Sequence, residues 1–478
     1  MNDDARTGGR QRLHRRVGGC LAAVDLAVVL GAPATAFAHD VTGPCSAVMD
    51  PNNAPSTDPR IDHLTVAGTN VNVLVPPGYR AHGDDEGGRR YPVLYLFHGA
   101  FSDEDSFSTQ TDLLSYTASL PEDQQVIVVM PDGGHLPAGR DWVDGTHPQE
   151  TYVIGTLIPW IDAHYRTIAN GGHRAAGGFS AGGLNATIFA ARHPELFAAA
   201  ATFSGFLDPF DPNGIAIVDA FVSLEDGLCG GTVDPDAIWG DPVLHPMGWT
   251  GHDPVYDARS LGDVSIYISA ANGNPCPDQV DADPFLMWAE SVVYEMSQSF
   301  DAALTQAGVE HVTKFRDCGI HTFTNSNQSF REFWPQMFQA FGRHRPHHFD
   351  WRTGDSSAAA WGWNFAADSA RAPEFLDVTD ASKHGVTLTG SGSVTVTTGP
   401  IFGHHEHVTV NGLGPDPQVL VADDDGRLTF SVVLEAPHSL EEYTAEELAA
   451  QAADPGYFAT KAVTFGHDHD DCGDDDDH

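Results

Sequence analysis

Residues Gly178-Phe179-Ser180-Ala181-Gly182 form the pattern G-x-S-x-G. A serine hydroxyl is a weak nucleophile until a base takes its proton. In this pattern a sharp strand-to-helix turn lifts the hydroxyl clear of a sheet edge, and the glycines let backbone pass close to the serine Cβ. Five residues recur by chance in a chain with 49 glycines, so the flanks decide. Residues 174–178 read as a strand and 183–191 as a helix, which points to acyl chemistry at Ser180. An attacked carbonyl develops negative charge and needs fixed N–H donors. Phe97-His98-Gly99-Ala100 ends an apolar run upstream. The N–H of Ala100 and that of Ala181 are the expected oxyanion pair. His98 is read first as a residue that shapes its loop. With Asp141 and Trp142 it is also a candidate contact on the substrate side.

The base belongs downstream, in the chain order Ser…Asp/Glu…His. With 25 histidines in the chain, position has to select one. His321, in Cys318-Gly319-Ile320-His321-Thr322, follows a late strand at residues 312–316 and falls at the carboxyl edge. His311 begins that strand, at the opposite edge. The acid is open on the residues alone. Asp278, Asp281 and Asp283 follow the strand expected at 264–270, and Glu290 lies in the second turn of the next helix. Asp283 also has a plain role as the cap of that helix.

Other clusters carry less. His404-His405-Glu406-His407 and the tail His467–His478 hold imidazole and carboxylate groups that suit divalent metals, but neither has the spacing of a structural zinc site. The tail reads as a solvated acidic segment. Neither a metal nor a cofactor is expected in the reaction.

The elements that must position these residues alternate between strand and helix from about 59 to 346. An opening hairpin falls at 61–75. Tyr91–Phe97 and residues 125–130 are continuous apolar runs, as in strands buried on both faces. Residues 150–165 read as a helix bent at Pro159. Residues 284–307 read as a long amphipathic helix, with Asp283 as N-cap and Pro284 first inside it. The pattern implies a doubly wound, mostly parallel α/β sheet. His344–Asp350 reads as a linker. Beyond it, short strands at 386–388, 393–397, 407–410, 419–421 and 428–433, with a helix at 439–453, imply a smaller β-rich, sandwich-like module over 347–465. Asp425-Gly426 reads as the turn of a hairpin.

With these residues in view, the stretch from Tyr91 to Trp334 resembles the "putative esterase" group of α/β hydrolases, which includes esterase D and the antigen-85 mycolyltransferases. The likeness runs through Leu96–Gly99, Pro131–Gly134, Asp141-Trp142, Glu150-Thr151, Gly178–Gly182 and Ser204–Pro209. In the mycolyltransferase branch the acid is a glutamate early in a long helix, with a Phe and a Gly at fixed offsets. Glu290, Phe300 and Gly308 match, and His321 follows 31 residues after Glu290. The resemblance therefore implies a Ser180–His321–Glu290 triad with Asp278 in reserve, and an α/β-hydrolase fold. Two departures set the chain apart from mycolyl transfer to trehalose. His98 stands where that branch has an acid, and Thr322-Phe323 replace its His-x-Trp pattern. The expected activity is a serine carboxylester hydrolase. The alternatives are an acyltransferase using a sugar or glycerol hydroxyl, and a non-enzymatic surface-binding protein on the same scaffold.

Composition sets the outer bounds. The 478 residues carry 24 Lys+Arg against 66 Asp+Glu, a formal charge of −42. Such a surface repels phosphates, so nucleic acid is excluded as a partner. The expected partner is an ester, whether small molecule, lipid or polymer, and the C-terminal module is a candidate for cell-wall or polymer contact. Residues 1–38 read as a cleavable export signal, with Arg10, Arg12, Arg15 and Arg16, an apolar run from 17 to 30, and Ala36-Phe37-Ala38. Arg15-Arg16 suits a twin-arginine signal, and the run is too short to span a membrane. An extension follows at 39–58. Removing the leader takes away five Arg and three Asp and leaves about −44, with five cysteines free to pair outside the cytoplasm.

Overall fold

The computed structural model describes residues 54–82, 88–229, 233–279, 282–343 and 346–467. The export signal, most of the extension and all but the first residues of the acidic tail lie outside the described residues, as does Asp281.

Eight strands form one sheet: β1 (Ile61–Val66), β2 (Thr69–Leu74), β3 (Val93–Phe97), β4 (Ile127–Pro131), β5 (Arg174–Phe179), β6 (Ala199–Phe203), β7 (Ser265–Ala271) and β8 (His311–Arg316). Their order is β1-β2-β4-β3-β5-β6-β7-β8. β1 and β2 form an antiparallel hairpin. Its turn, Ala67-Gly68, has positive φ at both residues, the condition for a tight turn that matches strand twist. β2 also pairs antiparallel with β4, and the pairs from β4–β3 through β7–β8 are parallel. β3, β4, β5 and β6 are buried at every position, which explains their unbroken apolar runs. This is the α/β-hydrolase arrangement. The chain leaves β3 for β4 on one side and returns to β5 on the other. Such a reversal opens a crevice at the carboxyl ends of the strands.

Helices cover both faces. Helix α1 (Ala181–Arg192) follows β5 and is buried from Ala181 to Ala191. Helix α2 is Pro212–Cys229. Helix α3 spans Pro284–Ala307, where the sequence places it. The Asp283 carboxylate caps it by accepting from the Phe285 N–H, and Gly308 ends it in the left-handed region at φ 74°. Helix α4 (Ser326–Ala340) buries Phe330, Phe333, Trp334 and Met337 at helical spacing against the opposite face. The helix expected around Pro159 is realised in three parts: Gln149–Tyr152, a wide π turn over Val153–Leu157, and Ile158–His164. Pro159 has no N–H to give the preceding turn, and the wider turn takes up the defect.

The C-terminal part is a sandwich of two antiparallel sheets. Its strands are β9 (His348–Thr353), β10 (Ser357–Ala360), β11 (Trp363–Ala367), β12 (Leu376–Ser382), β13 (Gly385–Gly390), β14 (Ser393–Thr397), β15 (His407–Asn411), β16 (Gln418–Val421), β17 (Thr429–Val433) and β18 (Ala459–His467). One sheet runs β10-β11-β14-β17, the other β16-β15-β18-β13-β12-β9. Alternating inward residues such as Trp351, Phe365, Val396, Val410 and Phe465 share one core. Helix α5 (Ala445–Ala453) lies between β17 and β18. Two expectations are corrected here. The supposed linker at His344–Asp350 runs into β9, because Phe349 and Trp351 alternate with exposed neighbours and pair with β12. Asp425-Gly426 does not join a hairpin. β16 pairs with β15 and β17 with β14, so the turn carries the chain between sheets. Gly426 is required there, at φ 74° with a Cβ position 2.2 Å from the Phe402 carbonyl oxygen.

Candidate active site

The turn at the end of β5 is built from small residues. Ser180 has φ 55° and ψ −123°, a region that costs a non-glycine residue about 1–3 kcal/mol. The surroundings hold it there. Its N–H donates to the Phe203 carbonyl at 3.1 Å, and its own carbonyl accepts from Gly183 and Phe206. A Cβ at Gly178 would lie 2.0 Å from the Gly182 carbonyl oxygen, and one at Gly182 would lie 2.0 Å from that of Phe97. The two glycines are thus what lets β3, the turn and α1 meet.

His321 comes from the loop after β8, and its Nε2 lies 2.9 Å from Ser180 Oγ. Its Nδ1 lies 2.8 Å from Glu290 Oε2. Glu290, in the second turn of α3, is fully buried. Its other oxygen, Oε1, accepts from Ser204 Oγ and from the Ala271 N–H, both at 2.7 Å. The Glu290 carboxylate is thus met by hydrogen-bond partners on both oxygens. It can only accept, so Nδ1 of His321 carries the proton and Nε2 is left to accept one from Ser180. Three ties fix the histidine loop. The His321 N–H donates to the Leu286 carbonyl at 3.0 Å, and the Gly319 N–H donates to that of Asn274 at 2.6 Å. Cys318 forms a disulfide with Cys276. The Phe179 ring lies against the imidazole, with centroids 4.6 Å apart.

Ser180 and His321 open on a cavity of about 350 Å³ that Ala100 and Ala181 also line. Its other walls are mainly apolar: Ile217 and Phe221 from α2, Trp239, and Leu286, Trp288 and Val293 from α3. An apolar cavity with a few convergent polar groups is the usual form of a small-molecule site.

The remaining residues singled out in the sequence fall elsewhere. Asp278 is exposed in the loop after β7, and Glu290 occupies the Nδ1 side of His321, so the reserve acid is set aside. His98 is buried and does not line the cavity. Its Nδ1 lies 2.7 Å from the Gly99 carbonyl, and its Nε2 accepts from the Gly133 N–H at 2.7 Å. Both ring nitrogens are spent joining two loops, so its place as a substrate contact is corrected to a loop-shaping one. Asp141 accepts from the N–H and hydroxyl of Thr151, and Trp142 packs on His147 with centroids 4.0 Å apart. Neither lines the cavity. Their roles are local, at the start of the helix that begins with Gln149. Sequence reasoning missed Ser204 as a partner of Glu290. The residue stood inside a motif of the resemblance, but its left-handed φ of 49° has no signature in residue type.

His405 pairs with Asp424 at 3.1 Å on an exposed turn. Among the described residues no group of three or more His, Cys, Asp or Glu side chains is arranged to hold a metal. No helix among them is long and apolar enough to cross a membrane.

The sheet, its crossovers and the turn at Ser180 define an α/β-hydrolase fold. Residues 67–344 match the family described as "Putative esterase", and the chain belongs to that family. It is 35% identical over 249 residues to Esterase Rv1288 of Mycobacterium tuberculosis, covering 50% of each chain. It is 27% identical over 267 residues to the diacylglycerol acyltransferase/mycolyltransferase Ag85A of Mycobacterium leprae, covering 54% of this chain and 77% of that one. The chain thus spans about half the length of the esterase relative. Among solved structures, MPT51 of Mycobacterium tuberculosis matches with a TM-score of 0.45 at 20% identity, over 59% of this chain and 98% of that one.

Proposed function

We propose that the protein is an exported serine carboxylester hydrolase. Ser180 Oγ attacks the acyl carbonyl while His321 Nε2 takes its proton. The imidazolium then returns that proton to the leaving alcohol. Glu290 holds the imidazole in the required tautomer and stabilises its charge. The N–H groups of Ala100 and Ala181 receive the oxyanion. Water, deprotonated by His321, then releases the acid from the acyl-enzyme. The observation that carries this reading is the unbroken chain Ser180–His321–Glu290, with separations of 2.9 and 2.8 Å, opening on an apolar cavity. Export is supported by the basic and apolar pattern of residues 1–38 and by the Cys276–Cys318 disulfide, a bond of oxidising compartments.

The test is turnover of p-nitrophenyl esters from acetate to palmitate, beside Ser180→Ala. Turnover by the wild type alone is the expected result. A second arm adds glycerol or a disaccharide. Free acid as the main product supports the hydrolase, whereas acyl-glycerol or acyl-sugar as the main product overturns it in favour of the acyltransferase.

A further inference from the structure

Phe101 follows the oxyanion residue Ala100 and is strained. Its φ is 56°, a genuine outlier for a bulky side chain. Two supports hold it. Its N–H donates to the His135 carbonyl at 2.8 Å. Its ring, 5% exposed, meets the ring of Phe221 edge-on at 5.6 Å. Both supports lead to the same helix. Phe221 lies on α2, and Nδ1 of His135 pairs with Glu225 Oε1 at 3.3 Å, one turn further along that helix. Residues four apart share a helix face. One face of α2 therefore grips Phe101 twice, directly through its ring and indirectly through the loop that accepts its N–H. The same helix presents Ile217, Phe221 and Leu224 to the cavity that holds Ser180.

We propose that α2 and the oxyanion segment act as one unit, with Phe101, Phe221 and the His135–Glu225 pair as positioning residues. The inference rests on the serine-hydrolase reading and adds a substrate class to it: esters whose acyl chain is long enough to pack on α2. Seating such a chain secures α2. Secured α2 keeps Phe101 in its strained state and the Ala100 N–H on the oxyanion. Chain-binding energy then appears in kcat rather than in KM, because it is realised where charge develops.

The experiment measures kcat and KM separately on acetyl, hexanoyl and decanoyl p-nitrophenyl esters. It compares wild type, Phe221→Ala, Phe221→Leu and Glu225→Gln, with thermal melting as the check on folding. In the wild type kcat is expected to rise with chain length. In Phe221→Ala the rise is lost, with decanoyl kcat falling about tenfold, a fraction of what removing an oxyanion donor costs, and KM changing less. Phe221→Leu restores at least half of the rise, and Glu225→Gln, which conserves size, gives a smaller loss in the same direction. Should Phe221→Ala fail to fold, Glu225→Gln carries the test. A higher KM with unchanged kcat in the variants makes α2 a plain wall and overturns the inference alone, as does a wild-type kcat independent of chain length. Wild-type turnover that survives Ser180→Ala, or none at all, overturns the serine-hydrolase reading and this inference with it.

Discussion

Helix α1 has a cluster of ionisable groups at each end, and the two differ in kind. At its start stand Ser180, His321 and Glu290, one chain of hydrogen bonds ending on an apolar cavity. At its end stands Arg192. Its guanidinium binds Glu150 at 2.7 Å and Asp355, from the sandwich, at 2.6 Å. Glu150 also meets His193 at 2.8 Å and His252 at 3.7 Å. Nearby, Trp351 of β9 donates its ring N–H to the Ala191 carbonyl, and Arg352 bridges Asp377 and the Tyr256 carbonyl. Strong titration shifts gather at this end. Burial raises Glu150, but Arg192 and the two histidines outweigh it and hold the carboxyl well below its usual range. Burial, with the Arg192 and Arg140 charges, pushes His252 down to about 3. Burial raises Asp257 well above its usual range. A search for perturbed groups alone would stop here, at a docking site. What separates the ends is what they face. The first opens on an apolar cavity, while the second is a part-buried network that ties the α/β part to the sandwich.

The comparison predicts opposite signatures for mutations at the two ends. Glu290→Gln keeps size but leaves one acceptor oxygen for three donors. The Nδ1 proton of His321 loses its fixed partner, and kcat/KM should fall about 10³–10⁴-fold, as when a triad carboxylate becomes an amide. The melting temperature should move by only a few degrees. A loss under tenfold would remove Glu290 from the mechanism. Arg192→Ala should do the reverse. It leaves Glu150 and Asp355 without their shared cation; a fully buried network would lose about 3–5 kcal/mol, and the 44% exposure of Asp355 reduces this to about 1–3 kcal/mol. Urea unfolding should register that loss, while kcat of the folded fraction stays within a few-fold. Unchanged stability would show that the sandwich is held by other contacts.

The disulfide tests the middle ground, since it ties the His321 loop to the loop before α3. Its cysteines are 42 residues apart, and closing such a loop in the unfolded chain is worth about 4 kcal/mol on the entropy model. Replacing both cysteines with serine should lower stability by about 2–4 kcal/mol. Activity should fall in step with the mobility of the histidine loop, read as a lower kcat with KM little changed. Equal stability of the two proteins would count against the role given to this bond.

How far these sites were legible depends on what each is made from. The elbow was readable because Gly178, Ser180 and Gly182 are dictated by contact distances that other residues violate. Helix α3 was readable because Asp283, Pro284 and Gly308 mark its ends by side-chain chemistry. Glu290 was not separable from the aspartates by residue type; only its offset to Phe300, Gly308 and His321 picked it out. Ser204 and the Ala271 N–H, which hold Glu290, arrive through strand pairing and backbone angle, and neither leaves a mark in one dimension. The start of the sandwich was misread for a related reason. His347 and His348 looked like linker, although Phe349 and Trp351 already alternate. β10, β11 and β12 went unread because Ala, Asn, Asp and Ser in short strands carry little period-two signal. The docking network draws Glu150, Arg192 and the segment holding Arg352 and Asp355 from three distant stretches, so no local pattern existed to find.

The smallest effect expected concerns pH, and it falls where the sandwich meets the α/β part. Glu442, 8% exposed, accepts the Phe375 N–H at 2.8 Å and precedes Tyr443, whose ring packs on Tyr256 of the α/β part at 5.2 Å. Burial is the largest influence on it, ahead of the Phe375 hydrogen bond and the Arg352 charge, and its carboxyl is pushed up to about 7. The folded state therefore keeps a proton that the unfolded chain gives up near its ordinary value of about 4.3. The stabilisation linked to this proton is fully present below that value, declines as pH rises, and is gone above about 7. The span corresponds to about 4 kcal/mol as an upper figure. Glu442→Gln mimics the protonated form and can still accept from Phe375. Its unfolding free energy should match the wild type near pH 4.5 and exceed it progressively up to pH 8, with kcat unaltered. Parallel stability curves for the two proteins would mean that Glu442 is ionised when folded, with the Arg352 charge outweighing its burial, as the Arg192 charge does for Glu150 at the same interface.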